Sequence, residues 1–196
     1  MGRERIGEYM IKGIKKIFID LDGVTFDTIE CITALYNEDF KHYKDFKPIN
    51  SCDVETWDFT ELNCADKHDI ERYFNQPRFF DYVEIMPRAE TVIRGLALRY
   101  DIIFVSMGNK PNLKQKKKWV KEHFPYAKFK GVNLEKYSDK SHIDMHKAVL
   151  IDDSANNLRT SNAKHKICFG DIYSWNKDWA GTRCANWTDV EVFFDK

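Results

Sequence analysis

Short apolar runs that end in small or acidic residues constrain the fold of this chain more than any other feature. "KKIFIDLD" (15–22), "DIIFVSM" (101–107), "AVLIDD" (148–153) and "KICFGD" (166–171) are rich in β-branched and aromatic residues and lack the polar alternation of a half-exposed strand. Runs of this kind are strands buried on both faces, as in parallel sheets. "FKGVNL" (129–134) is a weaker fifth. Between them "RAETVIRGLALRY" and "PNLKQKKKWVKEHF" have helical periodicity, the second opening with Pro111, a residue suited to a first helical turn. Strand and helix in repetition predict an α/β fold, a Rossmann-like three-layer core with a parallel sheet between helices.

Residues 27–86 interrupt that rhythm. Ile29, Ile32, Tyr36, Phe40 and Tyr43 recur at helical spacing, and Asp27 with Glu30 has the spacing of a capping box. An aromatic and acidic stretch follows, with no buried-strand signal before residue 101. The expected organisation is a core domain formed by residues 1–26 and 87–196 and a small inserted helical cap at 27–86. The segment "MGRERIGEYMIKG" reads equally as a flexible lead-in or an ordered extension.

The chain has 196 residues, enough for one good core and a modest insertion. Its 31 Lys and Arg balance 31 Asp and Glu, so no global field draws it to a nucleic acid polymer or an anionic membrane. The 5 cysteines form no C-x-x-C pair, and no stretch reads as a signal peptide or approaches the ~20 apolar residues of a membrane span. A reduced, cytoplasmic setting is the expectation. A homodimer is compatible with the sequence, but no feature demands one.

Ligands of open parallel sheets bind beyond the carboxyl ends of the strands, near the point where strand order reverses. Polar strand endings should therefore gather there: Asp20 and Asp22 after the first strand, Ser106 after the second, Asp152 and Asp153 after the fourth, with Lys140 in the loop "KYSDKS". Carboxylates brought together repel unless a hard cation sits among them, and Mg²⁺ takes a few oxygen ligands while retaining waters. A lysine and a hydroxyl beside such an ion suit a phosphate oxygen.

"DLDGVTFDT", "VSMG", "DKS" and "LIDDSANN" resemble, in order, the four motifs of the haloacid dehalogenase-like phosphatases. The resemblance implies that Asp20 is the nucleophile, forming an aspartyl-phosphate, and Asp22 the general acid that protonates the leaving alcohol and then activates water. It implies Mg²⁺ held by the Asp20 carboxylate, the Asp22 carbonyl and Asp152, with Asp153 as an outer partner or alternative ligand. Ser106 and Lys140 would hold the phosphoryl group, and Gly23 would let backbone N–H groups face it. Phosphoryl transfer needs alignment and charge neutralisation more than elaborate covalent chemistry, which such a set supplies.

Within that superfamily, "TWDFTEL", "FFDYVEIMPRAETVIRGL", "KKKWVKEHFP" and "YSWNKDWAGTRCANWTDV" resemble the 5'(3')-deoxyribonucleotidases. The implied substrate is a deoxyribonucleoside monophosphate whose base stacks on cap aromatics, for which Trp57 and Phe59 are the candidates. "MGNKPN" after Ser106, and Thr25 in "GVTFD", depart from the eukaryotic pattern at places that could touch substrate. Other small phosphate esters such as sugar phosphates are the alternative substrates, and a non-hydrolytic nucleotide-binding protein is the alternative class. The lysines of "KQKKKWVK" are expected on the solvated face of a helix, "HIDMH" in a loop, and Trp175, Trp179 and Trp187 in packing roles.

Overall fold

The computed structural model describes residues 10–195, so most of the N-terminal lead-in lies outside the described residues. Six parallel strands form one sheet in the order β3-β2-β1-β4-β5-β6. They are β1 (Lys16–Ile19), β2 (Asp101–Gly108), β3 (Lys128–Asn133), β4 (Ala148–Asp152), β5 (His165–Phe169) and β6 (Thr182–Cys184). Five occupy the runs singled out in the sequence. The sixth, three residues long at the sheet edge, is too short to give a periodic signal.

Both faces of the sheet are covered, which is why the central strands carry no polar alternation. Ile17, Ile19, Phe104, Val149 and Ile151 enter the larger core, and Phe18, Val105, Leu150 and Cys168 the smaller one. The larger core takes side chains from α4 (Ala89–Ala97), α5 (Lys110–His123) and α7 (Trp187–Phe194), while Leu158 of α6 (Ala155–Thr160) enters the smaller. Asn109 caps α5 by accepting from the Asn112 amide at 3.1 Å, with Pro111 in the first turn. No helix among the described residues is long and apolar enough to cross a membrane.

Between β1 and β2 the chain forms α1 (Thr28–Phe40), a 3₁₀ turn (Ser51–Asp53), α2 (Lys67–Asn75) and α3 (Phe79–Tyr82). Asp27 caps α1, accepting from Glu30 N at 2.9 Å. The helix stops at Phe40, so Tyr43, expected on its apolar stripe, is exposed beyond its end. The outgoing and returning chains run side by side: Phe26 bridges Ile85, Asp27 N donates to Glu84 O at 3.1 Å, and Met86 N to Thr25 O at 2.9 Å. That pairing fixes where the insertion leaves the sheet and therefore where its helices hang over the strand ends.

Candidate active site

Strand order reverses between β1 and β4, and register brings their carboxyl ends level: Ile19 pairs with Ile151, and Asp20 N donates to Ile151 O at 2.9 Å. Asp20 and Asp152 thus leave the sheet side by side, with Asp153 one residue on. Lys140, fully buried, bridges the first two, its Nζ lying 2.7 Å from Asp20 and 2.6 Å from Asp152. The second Asp152 oxygen accepts from Ser154 N at 2.9 Å and Asn157 Nδ2 at 3.2 Å. Asp153 accepts from the indole N–H of Trp175 at 2.8 Å.

The three carboxylates of Asp20, Asp152 and Asp153 each offer an oxygen within 4.8 Å of the others, so Asp153 stands in the cluster as fully as Asp152 does. One buried ammonium faces three buried carboxylates, leaving an excess of two negative charges. The imbalance is visible in proton affinity. Burial pushes Asp20 up to about 7, against the pull of Lys140 and with Asp152 and Asp22 adding to the rise. Burial, then Asp152 and Asp20, raise Asp153 well above the ordinary carboxylate range. Burial alone would lower Lys140, but Asp152 and Asp20 outweigh it and raise it. A divalent cation held by oxygen ligands would cancel the excess, so the donor set fits such an ion.

Asp22 points the other way. Its carboxylate accepts from Ser106 Oγ at 2.9 Å and is paired with the ammonium of Lys116. Lys116 Nζ also donates to Ser106 Oγ and to Met107 O, both at 2.9 Å. The loop from Leu21 to Phe26 supports this by folding back on itself, with Thr25 N and Phe26 N donating to Leu21 O at 2.9 and 3.1 Å. Thr25 Oγ1 donates to Asp20 O at 2.7 Å, so that position anchors the loop. Gly23 has φ +65° and its N–H is engaged within the turn, donating to Phe26 O at 3.1 Å and Thr28 Oγ1 at 3.2 Å. What Gly23 contributes is room: a Cβ there would lie 3.0 Å from Asp153 Oδ2.

A cleft of about 750 Å³ opens over these groups, lined by Asp20, Asp22, Lys116, Trp57, Phe74 and Trp175 among others. Trp57 is 44% exposed, with its ring 5.5 Å from that of Trp175 and 6.3 Å from that of Phe74. Phe59, with its ring 6.0 Å from that of Trp57, packs beneath it and does not line the cleft. At φ +53° the chain turns its ring inward, and it is only 2% exposed, within the larger core.

Two side chains at the cleft take positions that the sequence did not predict. Lys116 was expected on a solvated face and is instead buried, because it shares the inward face of α5 with Asn112, Trp119 and Val120. Its spacing of four from Asn112 and three from Trp119 carries that signal. Trp175 was assigned to packing and instead lines the cleft and holds Asp153. Trp187 does pack, fully buried and donating to Val24 O at 2.9 Å. "HIDMH" lies in a loop, with His142 stacked on Tyr137.

Comparison with known proteins agrees with this geometry. The chain is 28% identical over 178 residues to a 5'(3')-deoxyribonucleotidase of Clostridium acetobutylicum, covering 89% of this chain and 91% of that protein. Among solved structures it is similar to a haloacid dehalogenase-like hydrolase of Streptococcus pneumoniae, with a TM-score of 0.67 and 15% identity over 94% of this chain and 100% of that one. It is also similar to a haloacid dehalogenase-type hydrolase of Bacillus subtilis bound to magnesium, with a TM-score of 0.57 and 13% identity over 93% and 99% of the two chains. The parallel sheet with its flanking helices is therefore that of the haloacid dehalogenase-like fold. A family model matches residues 13–194, and the chain belongs to the family it describes, the 5' nucleotidase, deoxy (Pyrimidine), cytosolic type C proteins.

Proposed function

We propose that this protein is a Mg²⁺-dependent phosphomonoesterase that removes phosphate from deoxyribonucleoside monophosphates. The observation that carries the reading is the convergence of Asp20, Asp152, Asp153 and Lys140 at the β1/β4 crossover, beneath a cleft with Trp57 on its wall. Membership of the nucleotidase family and likeness to a deoxyribonucleotidase support the substrate class. The magnesium bound by a relative of the same fold supports the ion.

Asp20 attacks phosphorus, forming a bond from its carboxylate oxygen while the ester oxygen departs, and water then cleaves the aspartyl-phosphate. Leu21 N, 2.7 Å from Asp20 Oδ1, fixes the orientation of the nucleophile. Asp20, Asp152 and Asp153 would hold Mg²⁺ together with the Asp22 carbonyl; when bound, the ion neutralises charge on the phosphoryl oxygens and keeps Asp20 ionised. Lys140 supplies a positive charge between Asp20 and Asp152. Asp22 donates the proton to the leaving oxygen and later takes one from water. Its carboxylate is held off the metal cluster by Lys116 and Ser106, so it must leave that pair to reach a leaving group. Ser106 then becomes free to hold a phosphoryl oxygen.

Residues 27–86 act in this reading as a cap that chooses the substrate. Trp57 offers its face to a base, and stacking of this kind contributes about 1–3 kcal/mol and tolerates several bases. The reading is tested by phosphate release from a panel of deoxyribonucleotides, ribonucleotides and sugar phosphates, with Mg²⁺ and with EDTA. Metal-dependent release centred on deoxyribonucleotides is expected. Release confined to sugar phosphates would discard the cap assignment, and no release from any of them would discard the enzyme.

A further inference from the structure

Trp57, Trp175 and Asp153 form a wall with a cavity on each side. One is the cleft over Asp20. The other, about 200 Å³, lies behind the wall and is lined by Asp27, Phe169, Asp171, Tyr173 and Trp187 in addition to the wall itself. Tyr173 and Trp175 stack flat on each other, with centroids 4.3 Å apart and an interplanar angle of 3°, so each covers one face of the other, and they line the rear cavity together with the rings of Phe169 and Trp187. Its lining contains three aspartates, Asp27, Asp153 and Asp171, and no lysine or arginine. Such a cavity repels a phosphorylated ligand and has nothing to neutralise one. It suits a planar heterocycle that packs among the aromatic rings of the lining and donates N–H groups to the carboxylates.

We infer that this rear cavity is a second ligand site, which takes an uncharged nucleoside through its amino-bearing base and excludes the nucleotide. The inference rests on the proposed function, since it makes the reaction product the ligand. Substrate and product differ by the phosphate, and the acidic lining discriminates on that group alone. Occupancy bears on catalysis through the shared wall. Trp175 donates to Asp153, and Asp153 belongs to the carboxylate cluster, so a base packed against the Tyr173–Trp175 pair bears on the partner of a residue that would hold the metal. The product then slows turnover from a site that substrate does not contest.

The test uses deoxycytidine against hydrolysis of a generic aryl phosphate by the full chain with Mg²⁺, with deoxycytidine monophosphate as a competing control. Deoxycytidine is expected to lower kcat by a factor of two or more at saturation, and excess aryl phosphate is not expected to restore it. Two variants leave the catalytic groups untouched: Asp171→Asn removes a rear acceptor, and Ala185→Leu fills rear volume. Each should keep basal turnover and weaken the deoxycytidine effect at least fivefold. Purely competitive inhibition, an effect in both variants as large as in the parent, or no effect at millimolar deoxycytidine would overturn the inference. A protein that ignores deoxynucleotides as substrates, yet loses kcat with deoxycytidine in this variant-sensitive way, would overturn the proposed substrate and leave the rear site standing.

Discussion

Lys116 and Asp22 form an ion pair inside the protein, between a helix that follows β2 and a loop that follows β1. The pair holds the candidate general acid against Ser106 and away from the carboxylates that would bind metal. Lys116→Met is expected to lower kcat by about 10²-fold on a nucleotide, in the range typical of lost acid–base assistance. The loss should be much smaller on an aryl phosphate with a good leaving group, which needs no proton. Lys116→Arg should recover part of the activity. Equal losses on both esters would mean that Lys116 serves the fold and not the acid.

Asp20→Asn is expected to abolish turnover and to stabilise the metal-free protein. Burial raises the Asp20 carboxyl from 3.8 to about 7, so the folded state holds that proton more tightly than the unfolded chain does. Its contribution to stability is whole below about pH 4 and is lost as pH rises to about 7. Thermal unfolding in EDTA should therefore show a gap between variant and parent that grows from pH 5 to pH 8 and reaches several degrees. A constant gap across that range would remove the assignment of the shift to Asp20.

Metal should act in the same window with the opposite sign. Protons and Mg²⁺ compete for Asp20 and Asp153, both of which hold protons more tightly than an ordinary carboxylate. The rise in Tm on adding Mg²⁺ is expected to be larger at pH 8 than at pH 5.5 and to vanish in Asp153→Asn. An equal rise at both pH values would place the ion elsewhere.

Trp57→Ala should raise KM for nucleotides by roughly 5- to 100-fold, as expected for the loss of one stacking face, with little change for an aryl phosphate. Phe59→Leu should leave that ratio unchanged and lower stability, since its ring is buried in the core. Reversed outcomes would exchange the two roles.

Gly23→Ala combines a positive φ with a Cβ placed 3.0 Å from Asp153 Oδ2. It is expected to cost about 1 kcal/mol of stability from the backbone alone and, by displacing Asp153, to weaken Mg²⁺ binding as well. Titration calorimetry with Mg²⁺ separates the two, and unchanged affinity would confine Gly23 to the turn.

The sheet and its acidic strand ends were legible in the sequence because double-sided burial suppresses polar alternation and a topology rule gathers strand ends. Asp20 and Asp152 come together for that reason, and Lys140 joins them from the loop before β4. Three features were not legible. The inward turn of Phe59 depends on one backbone angle that composition does not encode. The burial of Lys116 was masked by four neighbouring lysines, Lys114, Lys117, Lys118 and Lys121, which are exposed. Trp175 reaches Asp153 from a loop with no periodicity, so its role emerges only when β5 sets that loop beside β4.

The side-by-side crossing of the chain at Phe26 and Ile85 divides the protein by how readily its parts can open. Asp20 and Asp152 extend strands paired on both sides at the centre of the sheet, where amide hydrogens should exchange only on global unfolding. Trp57 belongs to an excursion joined to the sheet by a short ladder and packed on it through side chains such as Phe59 and Phe79, and its amides are expected to exchange through more local opening. The surface proposed to select substrate can then open, or be rewritten by substitution, while the strand-end carboxylates beneath it keep their registration.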